Sequence, residues 1–452
     1  MDSKLTLRSA AGRGTLVAAV LASGMAFLDS TIINVALPAL GRDLDAELDQ
    51  LQWVVNGYTL TLAAFVLLGG ALGDRLGRRR IFMLGIAWFG VASIACGLAG
   101  NVEMLIVARL LQGVGAALLT PGSLALIQAS FEHEERGKAI GAWSGLSGVT
   151  SAIGPFVGGV LIDQASWRWI FWMNVPLVAV ALWISAKYVP ESRDERAPAR
   201  FDFGGAMLGA LALAGVTYWL VEPGGVVWAL ALGLAAAVAF VAVEWSMRER
   251  AMMPLHLFSR RVFSGLNLYT VLVYGAFGGL FFLLAIFLQN ALGYSALAVG
   301  AALVPVTLLL LLLSPWSGAL AGHIGPRWQL IGGPLVCALG VMLLRSAGDH
   351  YLTTVLPGVI LFGIGLTMLV APLTAIVLAS VPDSHAGLAS GVNNAAARAA
   401  GMLAVAALPM IVGLSGTEYE DPVPLTAAFQ AATMWCAGTL AAGSVVALVT
   451  RP

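Results

Sequence analysis

Apolar runs separated by short polar segments dominate the chain. Fourteen of them approach or exceed the roughly 20 residues that a helix needs to cross the hydrocarbon core of a bilayer. Their apolar residues do not alternate with polar ones at every second position, as in a membrane barrel. The pattern predicts an all-α integral membrane protein. The expected spans are 15–38, 52–73, 81–99, 104–129, 138–162, 169–187, 203–221, 226–244, 265–290, 298–320, 329–346, 353–379, 388–413 and 428–449.

The charge distribution supports this prediction and adds an orientation. Hydrophobic residues make up 59% of the 452 residues and charged residues 11%, whereas soluble domains carry about 25% charged residues. If the N-terminus is cytoplasmic, most of the 24 Lys and Arg residues fall in cytoplasmic segments, and Arg42, Arg168 and Arg345 fall outside. Such asymmetry follows the positive-inside rule. We therefore expect a multi-pass protein of the cytoplasmic (inner) membrane with both termini in the cytoplasm.

Several function classes find no support in the sequence. The three cysteines lie far apart in apolar stretches, and the five histidines lie in or near loops, so neither a disulfide framework, a metal site nor a catalytic set is expected. There is no phosphate-binding loop for ATP and no repeated filter or charged ring typical of a channel. The balanced net charge gives no reason to expect a nucleic-acid partner.

A weak internal repeat suggests two related halves. Residues 70–79 read GALGDRLGRR and residues 318–327 read GALAGHIGPR, an offset of 248. Gly113 and Gly115 recur as Gly363 and Gly365 at an offset of 250. Parallel repeats about an axis along the membrane normal are a known transporter plan. The sequence thus predicts a six-helix half at 1–195, an inserted hairpin of spans seven and eight at 196–254, and a second six-helix half at 255–452.

Two charged residues of the first half lie within predicted spans. Asp29 is mid-span, and an ionisable group at that depth is costly and functional by default. We expect Asp29 to take up and release a proton, the alternative being a polar contact that only holds helices together. Arg109 keeps its proton in proteins and therefore needs a carboxylate, carbonyls or water beside it.

The loop between spans two and three carries a second candidate function. Its residues of interest are Gly73, Asp74, Arg75, Gly77, Arg78 and Arg79. Glycines allow a tight turn, and an acid beside several arginines can form a network that holds one state and breaks in another. The simpler alternative is that the arginines only fix topology. In the second copy, Gly322 replaces the acid and His323 an arginine, so a charge lock is not expected there.

Several stretches resemble one known family. GALGDRLGRRR is similar to the signature loop of the major facilitator superfamily, and LDSTIINVALP at 28–38 resembles the first span of its fourteen-span drug:proton antiporters. RLLQGVGAALLTPGS at 109–123 and GVTSAIGPFVGGVL at 148–161 resemble the fourth-span and fifth-span signatures, and WRWIFWMNVP at 167–176 and SGVNNAAARAAGMLAVA at 390–406 also look like this family.

The resemblance implies a fold, a mechanism and residue roles. It implies a major-facilitator-type bundle of 6+6 helices that works by alternating access. It also implies that Arg109 takes part in proton relay with the first-span acid, and that the stretch with Gly154, Pro155, Gly158 and Gly159 seals the cavity during antiport. Generic close packing is the other explanation for this stretch.

Substrate-binding residues are less sharply indicated. Aromatic and polar residues within or near the spans give the candidates Asn34, Trp53, Asn56, Tyr58, Gln112, Tyr274, Phe281, Gln289, Asn393, Asn394 and Arg398. Aromatic stripes also arise from packing alone. Intramembrane Asn and Arg must face protein or water, so Arg398 is expected either to attract an anionic group or to meet a backbone carbonyl. The acids at 132–135 and 191–202 predict solvated loops.

The sequence therefore predicts a secondary active transporter rather than an enzyme. We expect a proton-coupled antiporter that exports hydrophobic or amphipathic organic compounds, with a dedicated exporter of a lipid or endogenous metabolite as the alternative. Its expected partners are small-molecule substrates, protons and membrane lipids. We expect a monomer without a metal or a cofactor other than the proton.

Overall fold

The computed structural model describes residues 5–194, 202–222, 225–247, 253, 255–382 and 386–450. Within these residues, fourteen helices are long and apolar enough to cross a membrane, which confirms the predicted all-α class and the number of spans. They are α1 (Ala10–Leu44), α2 (Leu48–Leu76), α3 (Arg78–Gly97), α4 (Val102–Ser130), α5 (Glu134–Gln164), α6 (Trp169–Tyr188), α7 (Phe203–Val221), α8 (Val227–Met247), α9 (Arg261–Ala291), α10 (Ala296–His323), α11 (Pro326–Leu344), α12 (Tyr351–Ala379), α13 (Gly387–Val412) and α14 (Pro422–Thr450).

Several helices extend beyond the apolar runs that predict them. The first span was expected at 15–38, but α1 begins at Ala10, where the Ser9 side chain accepts a hydrogen bond from the Gly12 amide. It ends at Leu44, and Asp45 follows in the left-handed conformation with φ 51°. Hydrophobicity marks only the part of a helix that lies in hydrocarbon, whereas backbone hydrogen bonds continue until a cap ends them.

The connections between helices fall at two ends of the bundle. One end carries the start of α1 and the α2–α3 connection next to Asp74, and we call it the Asp74 end. The other carries the α1–α2 connection with Glu47, and we call it the Glu47 end. Each helix runs from one end to the other, so residues far apart in sequence share a depth in the bundle.

Helix packing divides the described residues into two groups. Before residue 195, α1 packs on α5, and both α2 and α3 pack on α4. After residue 254, α9 packs on α13 and α14, α12 packs on α10 and α11, and α11 also packs on α14. The groups meet where α5 contacts α10 and where α2 contacts α13. The predicted domain boundaries after residues 195 and 254 lie outside the described residues, so the division into halves stays a prediction.

The hairpin of α7 and α8 lies against the seam between α2 and α13. Helix α7 packs on α8 and also on both helices of the seam. The Tyr218 ring of α7 has its centre 6.2 Å from the ring of Trp53 on α2 and 6.2 Å from that of Trp228 on α8. The hairpin therefore adds a wall along one line of contact between the two groups.

The internal repeat corresponds to two similar turns. Gly77 ends α2 and begins α3 with φ +114°, and Gly325 connects α10 to α11 with φ +84°. Both values lie in the region that favours glycine. The similar sequences at 70–79 and 318–327 thus encode the same tight connection between consecutive membrane helices.

Candidate functional site

Asp29 and Arg109 form an ion pair in the interior of the bundle. Asp29 lies in the middle of α1 and Arg109 in α4, and each side chain is 1% exposed. The distance between Arg109 Nη1 and Asp29 Oδ2 is 2.5 Å. A buried charge is stable only when it is paired and hydrogen-bonded. The structure thus supplies the carboxylate that Arg109 requires.

Gln112 and Tyr58 complete this buried cluster. Gln112 lies one helical turn beyond Arg109 on the same face of α4; it accepts a hydrogen bond from Arg109 Nη1 at 2.7 Å and donates one to Asp29 Oδ1 at 2.9 Å. The Tyr58 ring centre lies 4.4 Å from Arg109 Cζ, and its hydroxyl donates to the Ala26 carbonyl. The sequence predicted both residues as cavity residues, and the structure places both against the ion pair.

The guanidinium of Arg109 makes one further hydrogen bond, to helix α2. Its Nε donates to the Val54 carbonyl at 3.1 Å, and its Nη2 has no described hydrogen-bond partner. Arg109 thereby joins α4 to both α1 and α2. A change in the charge of Asp29 would alter the contacts of all three helices, because the same guanidinium binds to each of them.

The loop at the Asp74 end contains a local ion pair. Arg78 Nη2 lies 2.7 Å from Asp74 Oδ1, and Arg78 Nε donates to the same oxygen. The Arg78 amide donates to the Ser192 carbonyl, and the Asp194 amide donates to the Asp74 carbonyl. The described contacts of Asp74 and Arg78 thus bond the predicted gating loop to the segment that follows α6.

Glu191 has a contact that the sequence did not reveal. The interval 191–202 was expected to be solvated loop, but the Glu191 carboxylate accepts hydrogen bonds from the backbone amides of Arg79 and Arg80. It therefore occupies the amino-terminal end of α3, where a negative charge is favourable. The first turn of α3 has no acid of its own, which is the only signal that a distant carboxylate was required.

The small residues of α5 allow close contact with two helices. A Cβ on Gly154 would lie 2.5 Å from Thr31 Oγ1, and one on Gly158 would lie 2.1 Å from Ile32 Cγ1, both on α1. A Cβ on Gly159 would lie 2.5 Å from the Ala296 carbonyl oxygen of α10. Larger side chains at these positions would force α1, α5 and α10 apart.

A central cavity of about 300 Å³ lies beside this contact. It is lined by Thr31, Asn34, Val35, Gly148, Ser151, Pro155, Phe281, Ala285, Leu303, Val306, Thr307, Leu310 and Leu366. The walls are mostly apolar, and Asn34 Oδ1 is enclosed without a hydrogen-bond partner. Such a cavity suits a hydrophobic or amphipathic molecule with few polar groups. Three predicted residues, Asn34, Pro155 and Phe281, line it.

The other predicted cavity residues are distributed over the bundle. Tyr274, Asn393 and Asn394 line a smaller cavity of about 80 Å³ between α9, α12 and α13. Asn56 is fully buried, and its side chain has no described hydrogen-bond partner. Arg398 Cζ lies 5.9 Å from the centre of the Phe27 ring on α1. Trp53 faces the hairpin, as described above.

Hydrogen bonds between the two helix groups cluster towards the Glu47 end. Gln52 Nε2 donates to the Val405 and Ala406 carbonyls at 2.6 and 3.1 Å. Gln289 Nε2 donates to the Val35 carbonyl at 2.9 Å, and the Tyr419 hydroxyl donates to the Ala46 carbonyl at 2.7 Å.

Asp163 and the amino-terminal end of α2 take part in further hydrogen bonds between the two helix groups. Asp163 accepts hydrogen bonds from the amides of Ala296 and Leu297, and the Leu48 amide donates to the Gly416 carbonyl. Within the described residues, no hydrogen bond joins the groups at the Asp74 end. The structure is therefore closed at the Glu47 end.

One family model matches most of the chain. The model described as Major Facilitator Superfamily matches residues 19–406.

Curated relatives are similar over most of the chain. The multidrug resistance protein Stp of Mycobacterium tuberculosis (strain CDC 1551 / Oshkosh) is 37% identical over 389 residues, which cover 84% of this chain and 72% of that protein. The tetracenomycin C resistance and export protein of Streptomyces glaucescens is 34% identical over 88% of this chain and 75% of its own length. The methylenomycin A resistance protein of Bacillus subtilis (strain 168) is 34% identical over 91% of this chain and 90% of its own length.

Solved structures show the same fold at low identity. A POT family transporter in complex with a thioalcohol conjugated peptide has a TM-score of 0.74 and 13% identity, covering 98% of this chain and 96% of that chain. A bacterial homolog of the human lysosomal transporter Spinster has a TM-score of 0.69 and 16% identity, covering 96% of this chain and 97% of that chain. At these identities, the likeness concerns the fold alone.

Proposed function

The chain belongs to the Major Facilitator Superfamily, and we propose on that premise that it exports small organic molecules in exchange for protons. Membership makes it a transporter rather than an enzyme. The curated relatives named above are multidrug or antibiotic resistance proteins, which is consistent with drug efflux. The feature that carries the proposal of proton coupling is the buried cluster of Asp29, Arg109 and Gln112.

Protonation of Asp29 changes which contacts are favourable in this cluster. The carboxylate and the guanidinium neutralise each other when Asp29 is ionised. When Asp29 takes up a proton, the charge of Arg109 remains and must be held by Gln112, the Val54 carbonyl and the Tyr58 ring. The attraction that holds α1 to α4 weakens, and this is the two-state element that alternating access requires.

Helix α1 links this event to the substrate. Thr31, Asn34 and Val35 line the central cavity within two turns of Asp29 on the same helix. A shift of α1 relative to α4 therefore changes the cavity wall. We propose that protonation from the outside favours substrate release there and that deprotonation towards the cytoplasm resets the site.

The membrane orientation follows from the charged residues. We propose that the Asp74 end faces the cytoplasm and that the chain lies in the cytoplasmic membrane with both termini inside, as the positive-inside rule predicts. The closed Glu47 end then faces outward. In the outward-facing state, the loop with Asp74 would exchange its local bond to Arg78 for contacts that close the cytoplasmic side.

Proton-driven transport by the purified protein tests the proposal. In proteoliposomes with an imposed pH gradient, we expect net movement of at least one dye from a panel of ethidium, Nile red and carboxyfluorescein. Each productive dye should also accelerate collapse of the gradient, measured with a pH-sensitive probe, and a protonophore should abolish its net movement. Protein-free vesicles are the control. Dye movement that needs no gradient and moves no protons would indicate facilitated diffusion and contradict the proposed exchange.

Arg398 gives a prediction about substrate charge. Within the described residues it has no ion pair, although it lies within a membrane helix and faces Phe27. A substrate carboxylate bonded to this guanidinium would contribute about 1.5 kcal/mol or more, which is about tenfold in affinity. We therefore expect Arg398→Gln to weaken carboxyfluorescein transport about tenfold and to leave Nile red transport unchanged.

Two controls accompany this measurement. Arg398→Lys keeps the charge and should retain part of the carboxyfluorescein transport, although it lacks the guanidinium fork. Arg345→Gln removes an exposed arginine of the same half and should have no effect. Equal carboxyfluorescein transport by wild type and Arg398→Gln would show that the arginine does not contact the anionic group. A panel of lipids and cell metabolites then distinguishes broad drug efflux from a dedicated exporter.

A further inference from the structure

A second cavity, of about 370 Å³, lies at the Glu47 end and away from the buried ion pair. Its walls come from the first turns of α2, the end of α7, Gly225 with the start of α8, and the end of α13 with the segment that follows. The lining residues that bear on binding are Asp49, Gln52, Trp219, Leu220, Val221 and Glu222. The cavity is thus built where the hairpin meets the seam between α2 and α13.

The polar groups that line this cavity are mainly acceptors. Within the described residues, neither the Asp49 nor the Glu222 carboxylate has an ion pair or a side-chain hydrogen bond, and Asp49 Oδ1 is enclosed. Gln52 is 3% exposed, and its Nε2 is already bonded to the Val405 and Ala406 carbonyls. Its Oε1 accepts no described hydrogen bond. None of the described lining residues has a basic side chain.

Helix electrostatics account for only one of the two carboxylates. Asp49 lies in the first turn of α2, where a negative charge is favourable. Glu222 directly follows the last turn of α7, where the helix dipole opposes a negative charge. An uncompensated carboxylate in a partly enclosed, apolar cavity is costly unless a donor or a cation is bound. A ligand with a cationic hydrogen-bond donor would compensate both carboxylates.

We propose that this cavity binds amphipathic ammonium compounds. The protonated amine donates hydrogen bonds to Asp49, Glu222 and Gln52 Oε1, since an ammonium group has three donors and no acceptor. Its apolar body packs on Trp219 and on the aliphatic walls. The same chemistry is offered by a soluble amine and by the headgroup of an aminolipid in the outer leaflet.

Occupancy of the cavity has a mechanical consequence. The ammonium group connects Asp49 on α2 to Glu222 after α7, beside the Gln52 bonds that already tie α2 to α13. A bound ligand therefore stabilises the closed Glu47 end and slows transport without competing for the central cavity. This consequence rests on the proposed function, whereas the binding itself does not.

Fluorescence titration of the purified full-length protein tests the binding. The probe is dansylcadaverine, whose free ammonium group is absent from its N-acetylated form. We expect wild type to bind the amine at least tenfold more tightly than the acetylated form. The double variant Asp49→Asn, Glu222→Gln should lose that preference. Glu103→Gln removes an exposed acid at the same end and should bind as wild type does.

The outcomes separate the possible occupants from failure of the proposal. Weaker probe binding in phosphatidylethanolamine discs than in phosphatidylcholine discs identifies an aminolipid as the occupant, and equal binding identifies a soluble amine. Where the double variant does not fold, the single variants carry the same expectation. Absence of probe binding to wild type, equal binding of both probe forms, or undiminished binding by the folded variants would overturn the proposal.

Discussion

Replacement of Asp29 by Asn is expected to reduce proton-driven efflux to the level of protein-free vesicles. The amide has the size of the carboxylate and can still bond to Gln112, but it neither binds nor releases a proton at physiological pH. The variant therefore lacks the group that binds and releases the coupled proton. Dye efflux from energised membrane vesicles, normalised to the amount of protein in the membrane, measures the effect with and without a protonophore.

Asp45→Asn is the matched control for this variant. Asp45 directly follows α1, is exposed and adopts a left-handed conformation that Asn tolerates. The same chemical change just beyond the end of the same helix should therefore leave efflux unchanged. Efflux by Asp29→Asn that equals that of Asp45→Asn and still responds to the protonophore would remove Asp29 from the coupling pathway.

A second substitution separates proton coupling from a role in holding helices together. Asp29→Asn leaves the buried charge of Arg109 without a carboxylate, which costs about 3–5 kcal/mol in comparable buried pairs. Removing both charges, with Asp29→Asn and Arg109→Gln, should restore most of the thermal stability. If the pair only joins α1 to α4, transport returns with stability. If the pair binds the coupled proton, transport by the double variant stays at the level of protein-free vesicles.

The depth of a residue in its span was the most informative property of the sequence. Asp29 and Arg109 are recognisable because a charge in the middle of an apolar run is costly to bury and is usually functional. The structure places the two residues in contact. The glycines of the repeat were informative for a related reason. A Cβ on Gly115 would lie 2.6 Å from the Phe89 amide nitrogen, and one on Gly365 would lie 2.5 Å from the Gly333 carbonyl oxygen, so both mark close helix contacts.

Contacts to backbone groups between distant helices were not predictable. Gln52 and Tyr419 close the Glu47 end by donating to main-chain carbonyls, which every residue offers. No complementary side chain in the sequence marks such a partner. Trp53 illustrates the same difficulty for the substrate cavity, since it faces Tyr218 of the hairpin. The rotation of each helix about its axis decides which cavity a side chain reaches, and a uniformly apolar helix gives little information about that rotation.

Replacement of Gly113 by Ala is expected to destabilise the protein and to impair transport. A Cβ at this position would lie 2.1 Å from Thr61 Oγ1 and 2.2 Å from the Tyr58 carbonyl oxygen, so α2 and α4 would have to separate. Overpacking of this kind costs about 1–3 kcal/mol. The separation would also move the Tyr58 ring and the Val54 carbonyl away from Arg109, which they contact from α2.

Gly145→Ala shows what the same substitution does where space is available. A Cβ on Gly145 in α5 meets no atom within 4 Å, and Ala is favoured over Gly within a helix by about 1 kcal/mol. The two variants should therefore shift the melting temperature of the detergent-purified protein in opposite directions. Equal melting temperatures would mean that α2 and α4 can separate without a loss of stability. In that case, the position of Tyr58 against Arg109 would not depend on the close approach of these helices.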